Sequence, residues 1–266
     1  VIMKTRFDLP DGVHLAYEST GEGELAVYAH GMLLSRQAEA DQGLYAWDAV
    51  ERLAGRQFVR YDARGHGDSS GRAEASDYTF PRFAGDLLAL LDHLGADRPV
   101  AGMGASLGCA TVLTAAVREP ERFDRLVLLI PPTAWETRPA QAALYSRLAD
   151  VVDQGGVEAL GAAMAGAAVP SSLADAPGYP PRSIGVPPQL LSPLLRGAAT
   201  SDLPAREKLA RLTQPTLILA WADDPGHPLS TAEQLAELLP GASLHVSGNA
   251  ADIATWGDRV AGFLGA

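Results

Sequence analysis

The stretch Pro99-Val100-Ala101-Gly102-Met103-Gly104-Ala105-Ser106-Leu107-Gly108 decides the fold. Pro99–Met103 reads as a short apolar strand and Leu107–Arg118 as a helix. Between them stands Ser106, with a glycine two residues away on either side. A turn that takes a strand straight into a helix is so sharp that neighbouring backbones nearly touch, and only small residues fit those two positions. The turn lifts the serine hydroxyl out of the sheet at a helix N-terminus, where backbone N–H groups can stabilise an anion. A glycine-rich turn with a chance serine has the same letters; its place between strand and helix favours a reactive serine.

Outward from this turn, short β-type runs alternate with helical ones, the pattern of an α/β domain with a mainly parallel sheet. Lys4–Leu9 and Val13–Glu18 flank the turn Pro10-Asp11-Gly12 and predict a hairpin. Leu25–His30, Gln57–Tyr61, Arg125–Ile130, Thr216–Trp221 and Ser243–Val246 read as further strands. Phe83, Leu87, Leu90, Leu91 and Leu94 recur at helical spacing before Gly95, and Ile253, Trp256, Val260, Phe263 and Leu264 line one face of a final helix. Ser230 and Glu233 predict a capping box for a helix to Leu239. Residues 133–205 differ in texture: rich in Ala, Gly and Pro, helical over Ala140–Val152, and irregular over Val169–Pro193, which carries seven prolines.

The 266 residues suit one large domain or two small ones at ~150 residues per domain. With 47% hydrophobic and 20% charged residues the chain is not disordered, and a net charge of −11 disfavours nucleic acid and anionic membrane as partners. No apolar run reaches the ~18 residues of a spanning helix, and Val1–Pro10 lacks a basic-then-apolar leader. The single Cys109 allows neither an intrachain disulfide nor a cysteine zinc cluster, and it is expected to point into the core. No histidine–carboxylate group has metal-ligand spacing, and no phosphate-binding fingerprint is present. The expectation is a cytoplasmic protein with no metal and no cofactor, acting on a small molecule; its oligomeric state is not legible.

Two further motifs accompany Ser106. His30-Gly31-Met32 ends a strand, and its loop can aim the Met32 N–H at the same anion as the Leu107 N–H, while the His30 side chain suits a loop-tying role. Tyr61-Asp62-Ala63-Arg64-Gly65-His66-Gly67-Asp68-Ser69 suits a tight turn, with His66 and Asp68 satisfying loop hydrogen bonds. Together with the late strand and its Asp, these motifs resemble the α/β-hydrolase superfamily over nearly the whole length. The resemblance implies a mostly parallel central sheet flanked by helices, with a core of residues 1–132 and 206–266 and a largely helical cap over 133–205. It implies Ser106 as nucleophile, Met32 and Leu107 as oxyanion hole, and Asp224, four residues before Pro228, as the acid in preference to Asp223.

The sequence departs from the family at the histidine. The loop after the last strand reads Ser247-Gly248-Asn249-Ala250-Ala251-Asp252, with Ala250 or Ala251 at the expected position. His245 lies in the strand itself, and His14 and His93 read as edge residues. His227, three residues past Asp224, is the best substitute base, although a packing role before Pro228 is the reading its position favours. The leading expectation is a serine hydrolase for a small, uncharged or weakly polar ester, lactone or related carbonyl compound. A lyase, cyclase or cofactor-free oxygenase on the same fold, or a ligand-binding relative, remains the alternative. Trp135, Tyr145, Met164 and Tyr179 predict an apolar pocket under the cap, with His30, Trp135 and Tyr145 as substrate contacts.

Overall fold

The computed structural model describes residues 3–266 apart from Pro177 and Arg182; Val1 and Ile2 of the N-terminal segment lie outside the described residues. Eight strands form one sheet: β1 (Met3–Asp8), β2 (His14–Gly21), β3 (Glu24–Ala29), β4 (Arg56–Tyr61), β5 (Val100–Ala105), β6 (Phe123–Leu129), β7 (Thr216–Trp221) and β8 (Ala242–Ser247). Their order is β1-β2-β4-β3-β5-β6-β7-β8. β1/β2 and β2/β4 pair antiparallel and all other neighbours pair parallel. The expected hairpin closes at Pro10–Gly12, where Leu9 N–H donates to Val13 O at 2.7 Å.

Ten helices complete the described chain: α1 (Arg36–Gln42), α2 (Asp48–Glu51), α3 (Phe80–His93), α4 (Leu107–Arg118), α5 (Arg138–Ala165), α6 (Pro188–Ala199), α7 (Arg206–Leu209), α8 (Leu229–Leu238), α9 (Ala250–Ile253) and α10 (Trp256–Leu264). β5 and the Leu126–Leu129 part of β6 are covered on both faces, which is why they read as unbroken apolar runs. On one face the sheet packs against Phe83, Leu87 and Leu91 of α3, Val112 and Leu113 of α4, and Leu235 of α8. On the other, Val50 of α2 and Trp256, Val260 and Leu264 of α10 meet Phe58, Met103 and Leu219.

Two local readings need correction. The helix expected from Ser230 begins at Leu229 with Pro228 at the N-cap and no side-chain cap. Proline fixes φ and enters a helix without needing an N–H partner, so Ser230 falls inside the first turn and its capping box with Glu233 does not form. Likewise the proline-rich stretch yields a helix earlier than expected: α6 opens on Pro188 and retains Pro193 in its interior.

Between β6 and β7 the chain leaves the sheet for a helical insert in which α5 and α6 pack together. α5 is longer than the predicted Ala140–Val152 patch and bends at Gly156, whose φ of 66° and ψ of −159° are not helical. α6 turns Leu190, Leu191, Leu194 and Leu195 inward, joining the core that α3 and α4 share. The insert is thereby fastened to the sheet domain on the side where β5 ends.

Candidate active site

Ser106 alone forms the corner between β5 and α4. Its φ of 52° and ψ of −108° lie where a non-glycine residue is strained, at a cost of ~1–3 kcal/mol. The surroundings impose that conformation: Ser106 N–H donates to Leu129 O on β6 at 3.0 Å. A Cβ on Gly104 would stand 2.2 Å from the Gly108 carbonyl carbon, and one on Gly108 would stand 2.0 Å from the Ala29 carbonyl oxygen. Backbone meets backbone at both positions, so the two glycines are the steric condition for the corner. Cys109 is fully buried behind it, donating its thiol toward Gly104 O at 3.1 Å and Leu129 O at 3.0 Å. Burial pushes that thiol far above its usual range, so it is not a competing nucleophile.

The loop after β7 builds the partner. His227 N–H donates to Asp224 O at 3.1 Å, closing a tight turn. Gly226 N–H donates to Asp224 Oδ1 at 2.9 Å and the Trp221 indole N–H to Oδ2 at 2.9 Å. The turn folds the imidazole back, so that His227 Nδ1 lies 2.7 Å from Asp224 Oδ2 while Nε2 lies 2.8 Å from Ser106 Oγ. Burial alone would raise the Asp224 pKa, but the hydrogen bonds from His227, Trp221 and Gly226 and the His227 charge hold it at about 2. An ionised carboxylate can only accept, so Nδ1 carries the proton and Nε2 presents its lone pair to the Ser106 hydroxyl. The three side chains thus form an unbroken chain, Ser106 Oγ–H to His227 to Asp224. The sequence position of His227 favours a packing role; in the structure its ring is hydrogen-bonded at both nitrogens, with the Trp221 ring at 6.1 Å in edge geometry. Asp223, the rejected alternative acid, points away and accepts from Ser171 Oγ.

The position where the family resemblance expects a histidine is taken up otherwise. Asn249 caps α9 by accepting from Asp252 N–H at 2.9 Å. Ala250 packs against a cluster in which Trp256 stacks on Trp221 at 5.7 Å and on Tyr45 at 5.7 Å. His245 lies 2.7 Å from Asp252, which also accepts from Ser247 Oγ at 2.7 Å, so this imidazole is held locally. Indole rings therefore fill the ground beside Asp224, and Trp221 makes one of the contacts to its carboxylate.

Gly31 brings the other side of the site close: a Cβ there would lie 3.7 Å from Ser106 Cβ. Met32, Leu107 and Ser106 line one narrow cleft, together with Phe80, Pro132, Arg138, Tyr145 and Ala198. Of the expected substrate contacts, Tyr145 lies on this cleft. His30 does not: its Nε2 accepts from Ala63 N–H at 3.0 Å and its Nδ1 meets Gly31 O at 2.8 Å, so both nitrogens serve the backbone and the ring is buried. Trp135 is not among the residues lining the cleft; its indole donates to Pro204 O at 3.2 Å and carries the Arg206 guanidinium over its ring at 4.3 Å. Phe80 and Arg138 were not predicted. They sit far from Ser106 in sequence, and neither has a local motif.

The oxyanion-side loop rests on α1. Tyr28 hydroxyl donates to the buried Glu39 carboxylate at 2.8 Å. Burial raises the Glu39 pKa to about 7, with Tyr28, the Gly31 N–H and Arg60 pulling the other way. A carboxyl whose pKa is higher in the folded than in the unfolded state stabilises the fold below its unfolded pKa, and that contribution is lost as pH rises through the folded one. Glu39→Gln is therefore expected to leave the melting temperature nearly unchanged at pH 4 and to raise it relative to the parent at pH 8. Scanning calorimetry of both proteins across this range checks it; a difference that shrinks toward pH 8 refutes the assignment.

Fold and site together define a hydrolase of the α/β class. Residues 27–169 match the alpha/beta hydrolase fold family, and the chain belongs to that family. It is 28% identical over 197 residues to the 3-oxoadipate enol-lactonase 2 of Acinetobacter baylyi, spanning 71% of this chain and 69% of that protein. It is 31% identical over 219 residues to RutD of Pseudomonas savastanoi pv. phaseolicola, provisionally named a carbamate hydrolase, spanning 80% and 83%. Among solved structures, a hydrolase of Pseudomonas aeruginosa PA01 superposes with a TM-score of 0.80 at 27% identity over 99% of this chain and 98% of that one. An esterase of Thermogutta terrifontis shares the fold at a TM-score of 0.77 and 22% identity, over 98% and 96%. No helix among the described residues is long and apolar enough to cross a membrane.

Proposed function

We propose that the chain is a serine hydrolase of carboxylic esters or lactones, with Ser106 as nucleophile, His227 as general base and Asp224 as the group that orients it. The single observation that carries this reading is the pair of contacts at His227, 2.8 Å to Ser106 Oγ and 2.7 Å to Asp224 Oδ2. As Ser106 Oγ bonds to the substrate carbonyl carbon, its proton passes to Nε2, and the imidazolium is stabilised by Asp224. The carbonyl oxygen becomes an oxyanion, for which the Met32 and Leu107 N–H groups are the donors assigned here. On collapse the C–O bond breaks and Nε2 returns the proton to the leaving alkoxide. Water then repeats the sequence on the acyl-serine, with His227 taking its proton and Ser106 leaving. Residues 133–205 act as the cap, since Arg138, Tyr145 and Ala198 wall the cleft.

The names of the relatives, a lactonase and a carbamate hydrolase, support acyl chemistry of this kind. The alternative of a lyase, cyclase, oxygenase or ligand-binding relative drew its weight from an absent base, and His227 removes that ground. A fluorophosphonate probe is the direct test. It is expected to label the parent at Ser106, established by peptide mapping, and to leave Ser106→Ala unlabelled. A folded parent that takes no label overturns the reading.

A further inference from the structure

Four arginines are buried among the described residues: Arg36, Arg56, Arg64 and Arg138. Three have carboxylate partners. Arg36 meets Asp62 at 3.0 Å, Arg56 meets Glu24 at 3.2 Å, and Arg64 meets Asp86 and Asp11, each at 2.7 Å. Arg138, only 4% exposed, has no carboxylate within 4.0 Å among the described residues. Its Nε donates to Ser201 O and its Nη2 to Ala198 O, both at 2.6 Å, and Nη1 donates to Thr133 Oγ1 at 3.3 Å. Those are neutral acceptors, and they use three of the five guanidinium N–H groups. The nearby Asp202 accepts from the N–H groups of Trp135 and Leu203 instead. The guanidinium carbon stands over the Phe80 ring at 4.8 Å and over the Tyr145 ring at 5.5 Å. Burial depresses the Arg138 pKa, and Tyr145 and the more distant Asp202 charge only partly offset it; burial likewise raises the pKa of the Tyr145 phenol.

Phe80, Arg138 and Tyr145 line the same cleft as Ser106, Met32 and Leu107. A buried cation set over two aromatic rings, whose neutral acceptors do not take up all of its N–H groups, suits a planar anion entering from the cleft. We propose that Arg138 recognises a carboxylate on the substrate, so that the preferred substrates are short esters or lactones carrying a carboxylate near the scissile carbonyl. This rests on the hydrolase reading above and replaces the expectation of an uncharged substrate. A neutral acyl chain leaves the guanidinium without a carboxylate, whereas a substrate carboxylate supplies that charge and accepts from the N–H groups its neutral acceptors leave.

The test compares 4-nitrophenyl hemiglutarate with 4-nitrophenyl valerate, which match in chain length and leaving group and differ in the terminal carboxylate. The parent is expected to favour the hemiglutarate ~10–100-fold in kcat/KM, mainly through KM, and to be inhibited competitively by glutarate. Arg138→Gln is expected to collapse that ratio toward one, and Arg138→Lys to retain part of it. A parent that hydrolyses valerate as well as hemiglutarate overturns the proposal while leaving the hydrolase reading intact, and needs no variant that folds. Should neither ester be hydrolysed, glutarate binding to Ser106→Ala by calorimetry decides instead. Binding that is lost in Ser106→Ala/Arg138→Gln supports the proposal, and absence of binding to Ser106→Ala overturns it.

Discussion

His227→Gln is expected to lower kcat/KM on a short-chain 4-nitrophenyl ester by ~10³-fold or more, with the protein folded and its melting temperature little changed. Glutamine keeps side-chain bulk beside Trp221 and an amide that can donate to Asp224, but it offers no basic nitrogen to the serine proton. General-base assistance is worth ~10²–10⁴, and members of such a triad act as a unit, so loss of the base forfeits most of what the nucleophile contributes. The control lies in the loop after β8. Ala250→His or Ala251→His in the parent is expected to add nothing, because the indole of Trp221 already donates to Asp224 Oδ2 at 2.9 Å. Ala250, moreover, packs against the aromatic cluster that Trp221 and Trp256 form. Steady-state rates of these four proteins, and of His227→Gln combined with Ala250→His or with Ala251→His, decide the matter. If His227→Gln stays within tenfold of the parent, or a histidine at 250 or 251 rescues it, the base has been misplaced.

The second large effect is on the fold. Gly108→Ala would place a methyl carbon 2.0 Å from the Ala29 carbonyl oxygen, where no flexible side chain can yield. Either β3 and α4 separate or the corner at Ser106 relaxes, and both break close packing in the buried centre of the sheet. A destabilisation of about 3–5 kcal/mol is expected, at the exceptional end for a single substitution. In a chain of this size that corresponds to a fall of roughly 10 °C in melting temperature. Thermal unfolding followed by circular dichroism measures it, and a fall under about 3 °C would show the corner to be softer than its contacts imply. Probe labelling of Ser106 in any folded fraction is expected to drop as well, since the hydroxyl owes its position to the same contact.

Much of this architecture was legible because steric necessity leaves its mark locally. Gly104 and Gly108 announce the corner, and the apolar runs of β5, of β7 and of Leu126–Leu129 in β6 announce central strands; Leu107–Arg118 and Thr216–Trp221 were bounded to the residue. By contrast α1 was missed, because its buried residues are Arg36, Ala38, Glu39 and Gln42. Polar groups buried against partners such as Asp62 and Tyr28 leave no hydrophobic period to read. Ser35 as N-cap and Gly43, at φ 65°, were the available signals. The role of His227 was half legible. Its spacing from Asp224 could be read, but its approach to Ser106, 121 residues away, exists only once β5 and β7 lie in the same sheet. Arg138 gave no sign, since a lone arginine before a proline looks like a helix opening until its lack of an acid is seen.

Asp224 and His227, the proposed orienting acid and base, lie three residues apart on one short loop. Their mutual closure is therefore nearly free of chain entropy, which grows with the length of the loop being closed. A single long-range event, docking Ser106 against a ready-made Asp224–His227 unit, completes the chemistry, where a histidine beyond β8 would demand a third segment in register. In the proposed arrangement the stretch from Ala242 onward supplies packing but no reacting atom. Partial opening of that end need not dismantle the dyad, so the catalytic group and the last strand are free to differ in local stability. The C-terminal helix reaches the proposed acid only through a neighbour, since Trp256 stacks on Trp221 and Trp221 donates to Asp224.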